Sequence, residues 1–151
     1  MLALLIIDHF GRRKLMIVGS IGYLLSLSAT AWAFYRYGTN FDKTGGTIVL
    51  VSLLVFIAAH AFGQGAVIWV FISEIFPNRV RARGQALGSF THWFMAAAIS
   101  WSFPIIAAAS GGHTFAFYAV MMLLQLFWVL LIMPETKGVP LEQIQKKLGI
   151  T

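Results

Sequence analysis

Residues 15–35, 47–73, 84–110 and 115–133 are four apolar stretches, each long enough to cross the roughly 30 Å hydrocarbon core of a bilayer as an α-helix. In lipid every backbone N–H and C=O must find its partner within the protein, which leaves helices and closed barrels. The stretches lack the sustained two-residue alternation of barrel strands, so helices are expected. Composition agrees: 59% of residues are apolar and 11% are charged, less than half of the roughly 25% charge that covers a soluble domain. The expected fold class is therefore an all-α integral membrane protein. A net charge of +6 does not point to nucleic acid, because the basic residues fall in short clusters between apolar runs rather than on one face of a soluble fold. The chain has no Cys, which excludes thiol catalysis, disulfides and thiolate metal sites.

Four full transmembrane helices are expected, plus the end of a truncated one. Met1 to Ile7 is an apolar run of seven residues that ends on Asp8, His9, Phe10, Gly11, Arg12, Arg13 and Lys14. A secretory signal places its positive charge before the apolar run, the reverse of this order. The run reads as the last turns of a helix that starts upstream, so the chain is expected to be a fragment of a longer protein. Gly63 and Gly65 are expected to interrupt the second span, Pro104 to kink or break the third, and Pro134 to stop the fourth.

Arg12, Arg13 and Lys14, then Arg79, Arg81 and Arg83, then Lys137, Lys146 and Lys147 lie in three segments that four crossings place on one side. Arg36 and Lys43 lie on the other side. This asymmetry places the three segments and the C-terminus in the cytoplasm, with residues 36–46 and 111–114 as outward loops, in the plasma (inner) membrane. Residues 1–133 form the membrane part and 134–151 a cytoplasmic tail. In that tail the spacing of Leu141, Ile144 and Leu148 suggests a short amphipathic helix on the membrane surface.

The charged segments carry recurring patterns. The first reads D-x-x-G-R-R from Asp8 to Arg13, where Gly11 permits a tight turn and the Arg pair can reach carboxylates or helix C-terminal carbonyls. The second reads E-I-F-P-N-R-V-R-A-R from Glu74 to Arg83, and the last span ends on Pro134, Glu135, Thr136, Lys137 and Gly138. Asp8, Arg12, Arg13, Glu74, Arg81 and Glu135 can therefore form an interhelix charge network, present in one helix arrangement and broken in another. The alternative is static stitching of loops.

Polar groups within the spans form a second set. His60 and Gln64 share a helix face, and Gln85, Ser89, His92 and Ala96 form a stripe on the third span. Polar groups at membrane depth are costly unless they face protein or a watered cavity. Together with the flat faces of Trp69 and Trp93 they suit a ligand with many hydroxyls and apolar C–H faces. The alternative is hydrogen bonding between helices without a ligand. His60 and His92 are candidate proton carriers. Gly19, Gly22 and Ser26 form a small-residue face suited to a helix contact.

The three charged motifs, in this order and with these helices between them, resemble the sugar porter branch of the major facilitator superfamily. That branch carries D-x-x-G-R-R/K in its inter-helix loops, a tryptophan helix ending W-x-x-x-x-E-I-F-P-x-x-x-R, matched by Trp69 to Arg81, and P-E-T-K-G after the last helix, matched by Pro134 to Gly138. The resemblance covers essentially the whole chain and maps it onto the end of the eighth helix through the twelfth, part of the superfamily's C-terminal half. It implies transport of a monosaccharide or related polyol by alternating access, proton-coupled in the full-length protein. The partners it implies are the sugar, protons, the lipid bilayer and the N-terminal half of the same transporter, with no cofactor, metal, nucleic acid or enzymatic reaction. It also implies that Trp69 lines the sugar cavity beside the residues at His92 and Trp93. Two positions depart from the pattern: Ala66 stands where a proline is usual, and His92 where Asn or Gln is usual. Candidate substrate-binding residues are thus His60, Gln64, Trp69, Gln85, His92 and Trp93. The competing reading is a non-transporting membrane subunit or sensor, or an inert truncated product.

Overall fold

The structure, a computed structural model, describes residues 9–140 together with 143, 144 and 146. It contains helices α1 (Arg12–Tyr37), α2 (Lys43–Phe62), α3 (Gln64–Ile75), α4 (Arg81–Ala109) and α5 (Gly111–Leu131). Because α2 and α3 run on as one interrupted stretch, Lys43–Ile75, the described residues hold four helical segments long and apolar enough to cross a membrane. This is the expected all-α architecture, with ends displaced by a few residues.

α1 is the hub, packed against both α2 and α5. The α1–α5 pair is antiparallel over its whole length: Arg13 reaches the Val129 carbonyl at one end, and Phe34 stacks on Phe115 at the other, with ring centroids 5.4 Å apart. The small face expected on α1 is a helix contact. A Cβ on Gly22 would lie 2.6 Å from the Ala59 Cβ, so α1 and α2 approach nearly backbone to backbone. The core gathers Leu15 and Met16 of α1, Val67 and Phe71 of α3, Val129 of α5, and Met133 just beyond it. α4 leans on this unit through Gly84 against the Phe76 ring, Gly88 against Ile72, and Phe103 against Phe115. Much of its surface carries exposed apolar residues such as Trp101 and Phe90, as expected of a span that faces lipid or further helices.

Two expectations about breaks and loops are corrected. α4 continues through Pro104 to Ala109, so the proline does not break it; one missing N–H is tolerated in a long apolar helix. Residues 111–114 are not a loop; they form the first turn of α5, separated from α4 by Ser110 alone. Ser110 is the N-cap of α5 and accepts from the His113 N–H at 3.4 Å, while Thr114 N–H bonds the Ser110 carbonyl at 3.1 Å. Gly111 and Gly112 enter the helix because they lie flat against the rings of Phe34 and Tyr35, where a side chain would collide.

Candidate functional site

The interruption between α2 and α3 is a single residue, Gly63, with φ −102° and ψ −109°. A Cβ there would lie 2.8 Å from the Gly19 Cα of α1 and 2.8 Å from the Ala59 carbonyl, so the break is seated directly on a glycine of the hub helix. Gln64, the next residue, donates from Nε2 to the Ser20 hydroxyl at 3.0 Å, and its buried Oε1 has no hydrogen-bond partner among the described residues. His60, one turn before the break, pairs through Nδ1 with the Tyr23 hydroxyl and lays its ring over Gly65. A Cβ at Gly65 would come within 2.7 Å of the His60 Nε2. The expected interruption at Gly63 and Gly65 thus has two physical parts, one glycine for the backbone contact and one for the histidine ring.

Beside this break lies a cavity of about 320 Å³. Four of the six sequence-predicted residues line it: His60, Gln64, Trp69 and His92. The rings of Trp69 and His92 meet edge to face with centroids 4.9 Å apart. The Trp93 and His92 rings also meet edge to face, with centroids 5.4 Å apart, and Trp93 is 65% exposed. Gln85 lies seven residues before His92 on α4, roughly 10 Å along the axis. The structure brings neither Trp93 nor Gln85 into this cavity. Gln125 and Trp128 of α5, which the sequence reading passed over, do line it.

At the end of the bundle where α1 starts and α3 and α5 finish, the charged motifs meet. Arg12 clasps Glu74 with both ends of its guanidinium, Nη2 to Oε1 at 2.7 Å and Nε to Oε2 at 3.2 Å. This is the two-pronged geometry that Arg forms with carboxylates. Thr136 adds a third bond to Glu74, donating its hydroxyl to Oε2 at 2.6 Å. Glu135 works differently. Its carboxylate accepts the backbone N–H groups of Arg12 at 2.9 Å and Arg13 at 3.2 Å, capping the N-terminus of α1, and also those of Thr136 and Lys137 at 3.0 Å each. Arg13 in turn donates to the last carbonyls of α5, to Val129 at 3.2 Å and to Leu130. The start of α1 and the end of α5 thus each receive charge opposite to the helix dipole there.

Arg81 is not brought to these carboxylates; its Nε–H donates to the Phe76 carbonyl at 3.4 Å. It opens α4 five residues from Phe76 and spends its donor on closing that turn. Asp8 lies outside the described residues, as do Leu141 and Leu148 of the proposed surface helix, while Ile144 is described and buried.

A bundle of four long apolar segments, one of them broken beside a cavity and tied by an Arg–Glu clasp at its end, is the architecture of a multi-pass membrane protein. Residues 1–148 match the family described as "Sugar (and other) transporter". The chain belongs to this family, within the major facilitator superfamily. It is 32% identical over 151 residues to the D-xylose-proton symporter of Escherichia coli (strain K12), an alignment covering 95% of this chain and 30% of that protein. It is 36% identical over 146 residues to the arabinose-proton symporter of Bacillus subtilis (strain 168), covering 96% of this chain and 30% of the relative. Among solved structures, the inward-open conformation of the xylose transporter XylE from E. coli superposes with a TM-score of 0.84 at 33% identity, covering 97% of this chain and 32% of that one. The chain thus spans about 30% of the length of the curated relatives it matches.

Proposed function

We propose that this chain acts, together with an N-terminal half of the same transporter, in moving a monosaccharide or related polyol across the plasma (inner) membrane by alternating access, coupled to protons. The observation that carries the reading is the cavity beside the Gly63 break. There the imidazoles of His60 and His92, the amide of Gln64 and the indole of Trp69 put donors, acceptors and a flat apolar face within one space. A sugar presents the complementary surface of many hydroxyls over C–H faces, and a broken helix at membrane depth is where transporters commonly bind their cargo. Gln85 and Trp93, the other two sequence candidates, lie outside this cavity and carry no part of the reading. Family membership and the names of the two symporter relatives support sugar and protons as the cargo.

The end of the bundle carrying Arg12, Glu74 and Glu135 is cytoplasmic in this reading, supported by the nine Lys and Arg residues allotted to that side against two on the other. Residues 134–151 then form the cytoplasmic tail. In this reading the Arg12–Glu74 clasp, with Arg13 and Glu135 beside it, is the latch that holds α3 to α1 in one of the two states.

Uptake of radiolabelled pentoses, hexoses and polyols into cells lacking their own sugar porters, with the whole gene expressed, tests the proposal. Saturable uptake of at least one of them, abolished by collapsing the proton gradient, is expected. Uptake indistinguishable from the empty vector for every compound would leave the sugar reading without support.

A further inference from the structure

Tyr23 of α1 is buried and packs against Phe56 and His60 of α2, its ring centroid 4.7 Å from the phenylalanine and 6.2 Å from the histidine. Phe56 and His60 are four residues apart and so share one face of α2. Glycine makes the close approach possible: Gly22, beside Tyr23, lets α1 sit against Ala59, and Gly19, one turn away, meets Gly63. Backbones this near bring the phenol onto the His60 ring, where its hydroxyl bonds the Nδ1 atom. A buried tyrosine hydroxyl needs such a partner, and here both helices that make the bond belong to these 151 residues.

The bond has a preferred direction. A neutral imidazole carries its proton on one nitrogen and accepts at the other. A phenol donates better than it accepts, because its oxygen lone pair is drawn into the ring, so the favoured arrangement has the Tyr23 O–H donating to Nδ1. The His60 proton then sits on Nε2, since the bond made at one ring nitrogen sets the state of the other. Nε2 rests against Gly65, where an added Cβ would lie 2.7 Å from it, on the wall of the cavity that His60 and Gly65 share with Gln64 and Trp69. Tyr23 lies outside the lining of that cavity and reaches it only through His60.

We infer that Tyr23 is a positioning residue for the transport site: it locks His60 in the Nε2–H form and holds the ring against Gly65, so that His60 offers a donor, not an acceptor, to a hydroxyl oxygen of the sugar. A donor fixed before the sugar arrives spares binding the cost of ordering it. The sugar contact rests on the sugar-transport reading, whereas the lock rests on the Tyr23–His60 bond alone.

The test compares the complete transporter with its Tyr23→Phe, His60→Leu and doubly substituted variants. Tyr23→Phe keeps the ring against Phe56 and removes only the hydroxyl. Nitrogen-15 NMR of protein labelled in its histidine rings reads the tautomer at alkaline pH, with the His60 signals identified by their loss in His60→Leu. Wild type is expected to show a protonated Nε2 and a bare, hydrogen-bonded Nδ1, and Tyr23→Phe a mixture of the two tautomers. Tyr23→Phe is also expected to raise the uptake KM for the transported sugar roughly 2- to 10-fold, the span of one net hydrogen bond. His60→Leu raises KM as well, and adding Tyr23→Phe to it raises KM no further, which is the non-additivity of a residue that acts through another. The same KM rise from Tyr23→Phe with and without His60 overturns the inference and makes Tyr23 a packing residue. A proton on Nδ1 in wild type, or identical imidazole signals in wild type and Tyr23→Phe, overturns the lock. Wild type that carries no sugar overturns the transport reading and the sugar contact together, while the tautomer is read in the same protein without transport.

Discussion

Glu74 and Glu135 are both acidic residues at helix boundaries of the charged end, yet they do different physical work. Glu135 is held by four backbone N–H groups, two of which begin α1. Its negative charge offsets the placement of Arg12, Arg13 and Lys14 at the positive end of the α1 dipole, where cations are disfavoured. Gly11, at φ 90°, lets the chain bend over that carboxylate; a Cβ there would lie 2.6 Å from the Glu135 Oε2. Glu74 instead stands at the negative end of α3 and depends on Arg12, with side chains 10% and 25% exposed in that pair. Removing its charge takes the carboxylate from a buried Arg12, and it is α3, the half-helix next to the cavity, that is released. If the clasp favours one transport state by about 1.4 kcal/mol, its loss shifts the balance of states about tenfold. Glu74→Gln in the complete transporter should therefore lower maximal transport about tenfold while equilibrium sugar binding changes by less than about threefold. Parallel loss of binding and transport would reduce the clasp to static stitching. The sequence pattern puts both glutamates in one interhelix charge network, but in the structure Glu135 is not held by a cationic side chain. Its partners are backbone donors, and which N–H groups stand free at a helix start depends on where the neighbouring helix places them.

The elements themselves were legible where apolar length is the signal and illegible where contact across helices decides. Four spans follow from four apolar runs, and the break in the second follows from Gly63 and Gly65. The first turn of α5 does not: Gly-Gly-His-Thr reads as a loop, and it becomes helix because Ser110 caps it and because two glycines fit against Phe34 and Tyr35. Gln125 was equally hidden, a lone amide in an apolar span whose partner, Ser20, is 105 positions away in the chain. The Gly19–Gly63 contact carries a measurable consequence. A methyl group at Gly63 would meet backbone on two sides at 2.8 Å, with no flexible side-chain end to move aside. Gly63→Ala should cost about 1–3 kcal/mol, the range for forcing extra volume into a packed site, read as a lower unfolding midpoint in detergent. Gly46→Ala is the control, since no atom outside its own turn lies within 4 Å of the added carbon and Ala is the better helix former. Equal midpoints for the two variants would show that α1 and the break are not in backbone contact.

For the molecule as a whole, the architecture divides into a tight part and an open part. α1, α3 and α5 share the apolar core and the charged clasp, whereas α4 meets the rest through glycine contacts and a few rings and leaves Trp101, Phe90 and Phe94 exposed. An apolar helix so placed satisfies its backbone internally and needs only lipid or further helices around it. The proposed orientation of this assembly rests on charge alone, with the Arg36-to-Lys43 connection on one side and the Arg79-to-Arg83 and Lys137 segments on the other. These 151 residues contain no Cys, so in the complete transporter, with any cysteine elsewhere replaced, a single one introduced here is the one thiol and makes that orientation testable. Asn40, between α1 and α2, and Asn78, between α3 and α4, are both exposed and outside the helices. In intact cells a membrane-impermeant maleimide should label Asn40→Cys, and it should label Asn78→Cys only after permeabilisation. The opposite pattern would turn the whole bundle over and move the Arg12–Glu74 clasp to the outer face. Labelling of both positions in intact cells would mean that the interrupted Lys43–Ile75 stretch, for all its length, does not cross the bilayer.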